Sequence, residues 1–425
     1  MTHASPLAKP VGAHPRSSSL RAGLALPILV AVALCGPVEA AAQAAPPPQP
    51  AQGPGGSLYP YGGVTTMGPY YHPWHPDQET YQYYIFEPAD PRPDMAPVVL
   101  FIHGYRAYSP YAYSQWIGHI VRKGFTVVWV NYDMGITAPW GYAMYVEANW
   151  KDALRRLDDY WWEDHVLPMK DPSWQIMTAI VGHSAGGYLG PIVAAHAADP
   201  QNGMPVPYAV VSIQPGGLGL IPKAEFSTID PSTKLVLVVS DEDDIVCKST
   251  AQYLWENMPQ IPDGNKDFLF HRSDRHGEPQ QVANHFFPNT SGWSDTAAVD
   301  ARDFFITYKL SVGLLSCAFY GLQCGYAVGQ GSPEQIDMGR WSDGQAVTPL
   351  QWLADPAALQ TTCIDKFQDL PPWGADQAQS ATRYGPEAAR RSVPLNALLP
   401  LAALLVFLRR RSRRRRLNGS SPRAI

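Results

Sequence analysis

The chain has 425 residues, of which 45% are hydrophobic and 16% are charged, with a formal net charge of −5. This composition allows a sizeable core in one large domain or two ordinary ones. The slightly acidic balance argues against a nucleic-acid partner.

The N-terminal region has the pattern of an export signal. Arg16 and Arg21 precede an apolar run at 22–34, and Ala42-Gln43-Ala44 fits a cleavage site. Residues 1–44 are therefore predicted to form a secretory signal peptide. Residues 45–67 are rich in Pro, Gly, Ala and Gln, which predicts a flexible linker.

The middle of the chain alternates apolar strands with amphipathic or small-residue helices. The predicted strands are 98–102, 125–130, 176–181, 208–213, 234–239 and 268–270, and the predicted helices are 111–123, 143–166, 185–198, 249–257 and 298–310. This alternation predicts an α/β domain over 68–320, with a mostly parallel sheet and helices on both faces. Functional residues should follow the carboxyl ends of the strands.

Residues 321–375 show few clear elements and are predicted to form an irregular extension packed on the core. A polar stalk at 376–392 leads to an apolar segment and arginine cluster at 393–416, which predict a membrane anchor or sorting signal, followed by a tail at 417–425. By the positive-inside rule, the body would lie outside the cytoplasm, at the cell surface or released after processing.

Four cysteines follow the predicted signal peptide: Cys247, Cys317, Cys324 and Cys363. An even number in an oxidising compartment predicts disulfides. Cys317 and Cys324 could close a small loop, which leaves Cys247 to pair with Cys363, although three pairings are formally possible.

The segment Gly182-His183-Ser184-Ala185-Gly186 joins a predicted strand to a predicted helix. A serine on a sharp strand-to-helix turn is held exposed beside the free N–H groups of the helix, and flanking glycines relieve crowding. This pattern predicts that Ser184 is a catalytic nucleophile.

On this motif and its context, residues 68–315 resemble an α/β-hydrolase. Within that superfamily the chain is similar to secreted cutinase-like and polyester hydrolases and to dienelactone-hydrolase-like esterases. Because no long insertion separates the later strands, we expect no large lid domain. The resemblance implies oxyanion donors at the backbone amides of Tyr105 and Ala185, and it implies neither a metal nor a cofactor. His103 is expected to support the loop before Tyr105.

The catalytic acid should follow the strand at 234–239, where Asp241, Glu242, Asp243 and Asp244 are adjacent. The family pattern, an acid followed by one short residue and two apolar ones, favours Asp243. Asp241 is the alternative. An ion bound by this acidic run is left open.

The catalytic base should be a histidine after the last strand, and His271, His276 and His285 compete. The segment around His285 resembles the one that carries the base in polyester hydrolases, so His285 is favoured and His276 is the alternative. His271 is placed too early, at the end of its strand.

Aromatic residues crowd the same predicted edge, in the stretch 105–113 and at Trp140, Tyr142 and Tyr145. They could line a surface for small or polymeric substrates, or simply pack under loops. The sequence thus predicts a serine hydrolase that cleaves carboxylic esters. A peptidase or amidase on the same fold, and a catalytically idle binding protein, remain alternatives.

Overall fold

The computed structural model describes residues 43–75, 78–133, 137–159 and 164–359. Eleven strands are assigned in these ranges: β1 Gly63–Tyr71, β2 Gln82–Ala89, β3 Met95–Ala96, β4 Val98–Ile102, β5 Thr126–Val130, β6 Leu167–Pro168, β7 Thr178–His183, β8 Ala209–Ile213, β9 Lys234–Ser240, β10 Lys266–His271 and β11 Gln351–Trp352. The α-helices are α1 Ser114–Arg122, α2 Tyr142–Asp159, α3 Ala185–Ala197, α4 Ser249–Glu256, α5 Lys309–Tyr320 and α6 Pro333–Ile336.

Nine strands form one sheet in the order β1-β2-β5-β4-β7-β8-β9-β10-β11, and β3 pairs with β6 separately. The six strands from β5 to β10 in this order are parallel, whereas β1, β2 and β11 are antiparallel. The predicted α/β class with a mostly parallel sheet is confirmed. The carboxyl ends of the six parallel strands therefore lie along one edge.

The sheet is buried on both faces, which explains why β4 and β5 are continuous apolar runs rather than alternating ones. Side chains of α1 and α5 pack on one face, and those of α2, α3 and α4 pack on the other. The two apolar clusters hold the strands in register, and so they fix the relative positions of the loops that follow each strand.

The stretch predicted to be a flexible linker is instead an ordered arm that continues into β1. Lys123 Nζ donates to the carbonyls of Gly53 and Leu58 at 3.0 and 2.9 Å, and His119 Nε2 donates to the Pro54 carbonyl at 2.7 Å. Proline-rich chain loses little entropy on ordering and presents free carbonyls, so side chains of the body can hold it in place.

The helix predicted at 298–310 continues to Tyr320, with a π-helical turn at Asp303–Tyr308 before α5. The helix predicted at 143–166 is described only to Asp159. The predicted disulfide between Cys317 and Cys324 is confirmed at the end of α5. Cys247 is also disulfide-bonded, but its predicted partner Cys363 lies outside the described residues.

Residues 321–359 pack on the core and add β11 to the sheet edge. The predicted signal peptide, stalk, anchor and tail lie outside the described residues, apart from the last two residues of the signal peptide. Across the described ranges, no helix has the length and hydropathy needed to span a membrane.

Asp267 on β10 fastens the extension to the sheet. Its carboxylate accepts hydrogen bonds from Trp352 Nε1 at 2.7 Å, Gln335 Nε2 at 2.6 Å and the Gln330 amide at 2.9 Å. Removing the carboxylate would leave these donors without their acceptor in a mostly buried place.

We expect Asp267→Ala to lower the free energy of unfolding by about 3 kcal/mol, because several charge-assisted hydrogen bonds are lost together. Urea unfolding followed by fluorescence measures the change. The exposed Asp295 is the matched control, and Asp295→Ala should change stability by less than about 0.5 kcal/mol. Equal stability of the two variants would contradict this role of Asp267.

Candidate active site

Ser184 lies at the sharp turn between β7 and α3. Its backbone has φ 57° and ψ −123°, which a residue with a side chain adopts only when its surroundings enforce it. The Ser184 amide donates to the Ile213 carbonyl at 3.0 Å, which ties the turn to the end of β8. The strain is therefore supported by the neighbouring strand.

The glycine two residues after Ser184 is required by close packing. A Cβ added to Gly186 would lie 2.0 Å from the carbonyl oxygen of Ile102 on β4. Any larger residue would push α3 away from the sheet. The motif glycine thus lets the helix begin directly above the strands and beside the neighbouring loop.

His285 connects Ser184 to Asp243. Its Nε2 lies 2.9 Å from Ser184 Oγ, and its Nδ1 lies 2.8 Å from Asp243 Oδ2. The side chains of His285 and Asp243 are only 4% and 3% exposed. The three groups therefore form a continuous hydrogen-bonded chain that is shielded from water.

Three of the four adjacent acids, Asp241, Glu242 and Asp243, have different hydrogen-bond partners. Asp243 Oδ1 accepts from the amides of Ile245 and Val246 at 3.0 Å each, which leaves Oδ2 for the histidine. Asp241 instead accepts from the Ser273 amide and hydroxyl.

Of the other two acids, Glu242 pairs with Arg275 at 2.6 Å, which lowers the pKa of Glu242. Asp244 is exposed. Asp243 is the acid that is hydrogen-bonded to His285.

The two competing histidines lie elsewhere. His276 Nε2 is 2.6 Å from Asp343 Oδ2, on the irregular extension. His271 is buried edge-on against Phe287, and burial lowers its pKa to about 3. Neither is hydrogen-bonded to Ser184, so the geometry agrees with the choice of His285.

His103 has the supporting place expected for it. Its ring stacks between Trp129 and Tyr132, with centroids at 5.0 and 4.3 Å, and its Nε2 lies 3.1 Å from Asn131 Oδ1. Burial lowers its pKa to about 4, so it stays neutral near pH 7.

The predicted oxyanion donors lie on the two segments that border Ser184. Ala185 is the first residue of α3, where an amide has no carbonyl partner within the helix. On the other side, a Cβ added to Gly104 would lie 3.1 Å from Ser184 Cβ, and Tyr105 follows Gly104 directly. The Tyr105 ring is half-buried.

The aromatic residues at this edge divide between core and surface. Tyr113 and Tyr142 are buried, whereas Trp140 is 73% exposed. Tyr145 is half-buried and meets Tyr81 edge-on, with ring centroids 5.0 Å apart. The packing interpretation thus holds for some of them and a surface role stays open for the others.

Three polar residues near Ser184 have a place that the sequence analysis did not predict: Tyr113, which it offered only as part of the aromatic stretch 105–113, His183 and Gln214. All three are buried and hydrogen-bonded to segments that hold the relay. His183 lies within the serine motif, but nothing in the sequence indicates the direction of its side chain.

Within the described ranges, no group of three His, Cys, Asp or Glu side chains is arranged to hold a metal ion. In comparisons with known proteins, no family model matches the chain and no curated protein sequence matches it. The chemistry of the site is therefore argued from its residues alone.

The buried histidines predict how stability depends on pH. Burial lowers the pKa of His103 to about 4, and of His119 and His271 to about 3, from the ordinary 6.5. The unfolded chain therefore binds protons before the folded chain as the pH falls. Their contribution to stability is complete above about pH 6.5 and is lost progressively toward pH 4.

We expect the free energy of unfolding to decrease below pH 6.5, with each such histidine adding up to about 1.4 kcal/mol per pH unit. Urea unfolding between pH 7.5 and 5 measures the slope. In His271→Phe the slope should be smaller by the contribution of one histidine, up to about 1.4 kcal/mol per pH unit. Greater stability at pH 5 than at pH 7.5 would contradict the expectation.

Proposed function

We propose that the protein is a serine hydrolase of the α/β-hydrolase type that cleaves carboxylic esters. The observation that carries the proposal is the relay from Ser184 Oγ through the His285 imidazole to Asp243, with separations of 2.9 and 2.8 Å. A serine hydroxyl is a weak nucleophile unless a base within hydrogen-bond reach accepts its proton. The strained, buried turn at Ser184 supports the same role.

The order and placement of the three groups support the finer fold assignment. The serine follows β7, the acid follows β9 and the histidine follows β10, which is the order Ser, Asp, His of α/β-hydrolases. Between Ile213 and Lys266 the longest described helix is α4, with eight residues. This supports a fold without a large lid domain.

In the first half of the reaction, Ser184 Oγ attacks the ester carbonyl carbon while its proton passes to His285 Nε2. Asp243 holds the imidazole in the required tautomer and stabilises the imidazolium. The carbonyl oxygen gains negative charge, which the amides of Ala185 and Tyr105 would stabilise. The alcohol then leaves with the proton from His285.

In the second half, His285 accepts a proton from water, which attacks the acyl-enzyme. The carboxylic acid is released and the Ser184 hydroxyl is restored. Every proton in this scheme moves between the substrate, water and these side chains.

We also propose that the protein acts outside the cytoplasm, held by its C-terminal segment or released from it. The confirmed disulfide between Cys317 and Cys324 supports an oxidising compartment. The segments at 1–44 and 393–416 support export and anchoring by their sequence alone.

We expect Ser184→Ala to lower kcat by about 10⁶-fold and Asp243→Asn by about 10⁴-fold, because the relay acts as one unit. His285→Ala should be nearly as severe as the serine variant. His276→Ala and Asp241→Asn are the matched controls and should retain most activity. If His276→Ala abolishes activity and His285→Ala has a mild effect, His276 is the base. If Asp241→Asn is severe and Asp243→Asn is mild, Asp241 is the acid.

The substrate class can be tested directly on the purified protein. We expect a fluorophosphonate probe to label Ser184, as mass spectrometry would show, and p-nitrophenyl esters of graded chain length to be hydrolysed. Matched p-nitroanilides should react far more slowly. Faster anilide cleavage would favour an amidase, and a folded protein that is neither labelled nor active would favour a binding role.

A further inference from the structure

Three segments of the site meet next to Ser184. They are the loop after β4 at Gly104, the end of β7 at His183, and the base-bearing loop at His285. Tyr113, which immediately precedes α1, lies among them and is 1% exposed. Two side chains, Tyr113 and His183, make hydrogen bonds that link the three segments.

The phenol of Tyr113 bridges the first two segments. The Gly104 amide lies 2.9 Å from the Tyr113 hydroxyl oxygen, and this oxygen lies 2.8 Å from His183 Nδ1. His183 Nε2 lies 3.0 Å from the His285 carbonyl oxygen and 3.3 Å from Gln214 Oε1.

The chemistry of these atoms fixes the direction of each bond. A carbonyl oxygen only accepts, so His183 Nε2 must carry a proton and donate it to His285. In a neutral imidazole Nδ1 then has no proton and accepts from the Tyr113 hydroxyl. The phenol oxygen is left to accept from the Gly104 amide, and every group in the chain is satisfied.

Burial keeps Tyr113 and His183 in the protonation states that these hydrogen bonds require. Burial, reinforced by the nearby charge of His285, lowers the pKa of His183 well below its ordinary value. Burial likewise raises the pKa of Tyr113. The imidazole therefore stays neutral and the phenol stays protonated while His285 gains and loses its proton.

We propose that Tyr113 and His183 are positioning residues that lock the loop before Tyr105 and the loop bearing His285 onto the nucleophile turn. The inference rests on the proposed hydrolase function, because it assigns a role within that reaction. Neither residue touches the reacting atoms. They act by holding the predicted oxyanion donor and the base at fixed distances from Ser184.

The close packing around Gly104 shows how directly Tyr113 and His183 contact the loop before Tyr105. A Cβ at Gly104 would lie 2.9 Å from the Tyr113 hydroxyl and 3.3 Å from His183 Nδ1, so these two side chains pack directly against the backbone of the loop and leave room only for glycine. Gln214 adds a second tie to the base loop, since its Nε2 donates to the Asn284 carbonyl at 3.0 Å. Without the phenol, the Gly104 amide loses its acceptor and His183 Nδ1 loses its donor.

Tyr113→Phe tests the proposal with minimal change in volume. We expect kcat on a p-nitrophenyl ester to fall about 10- to 100-fold with KM changed less than about threefold, because small misplacements of catalytic groups slow the chemical step. The matched control is Tyr83→Phe, which removes an equally buried hydroxyl that donates to Asp152 at 2.7 Å. This control should lose comparable stability and keep its kcat.

A second readout does not depend on turnover. In protein labelled with ¹⁵N-histidine, His183 should show the Nε2–H tautomer with no titration between pH 5 and 9. In Tyr113→Phe this tautomer should persist, because the His285 carbonyl still accepts from Nε2, but the Nδ1 resonance should shift because Nδ1 loses its hydrogen bond from the phenol.

An active wild-type protein with unchanged kcat in Tyr113→Phe, or an Nδ1–H or titrating His183 in the wild type, would overturn this inference and leave the hydrolase function standing. An inactive wild-type protein would overturn the proposed function and the positioning role with it. The tautomer measurement would then still show whether the hydrogen-bond chain exists.

Discussion

The backbone turn at Ser184 is the constraint on which the rest of the site depends. A φ of 57° on a residue with a side chain is unfavourable by about 1–3 kcal/mol, so the surrounding structure must enforce it. Here a buried parallel strand leads into the turn, a small-residue helix leads out of it, and the Ile213 carbonyl binds the serine amide. The gain is a hydroxyl at the strand edge beside the helix N-terminus, where the neighbouring loops can reach it.

Local hydrogen bonding, rather than residue type, separates the groups that look equivalent in the sequence. Asp241 and Asp243 are two residues apart, yet one is held by Ser273 and the other by the amides of its own turn and by His285. The same holds for the histidines. His271 is enclosed and neutral, His276 is turned toward Asp343, and only His285 meets both a serine and a carboxylate. The surroundings of these four acids and three histidines thus place one of each, Asp243 and His285, in a hydrogen-bonded chain with Ser184.

At the edges of the sheet, the amino-acid composition of a segment predicts its structure poorly. Proline and glycine indicated mobility for residues 45–67, but these residues offer carbonyls that Lys123 and His119 bind. The extension after α5 likewise lacks long elements and is still fixed, because Asp267 accepts hydrogen bonds from three parts of it: the Gln330 amide, Gln335 in α6 and Trp352 in β11. Both depend on partners more than forty residues away, which no local pattern contains.

The sequence by itself determined the central strands and the strand-to-helix turn at Ser184. β4 needs only a continuous apolar run, and the serine turn needs only glycines at fixed spacing between a strand and a helix; both are local requirements. The sequence did not predict the exact helix ends, the ordered arm or β11. The choice of Asp243 and His285 among the candidate acids and histidines needed the family resemblance. The hydrogen-bond partners of Tyr113 and His183 depend on the tertiary structure alone, because these bonds join chain segments up to 102 residues apart. Only the packed sheet brings those segments within reach of one another.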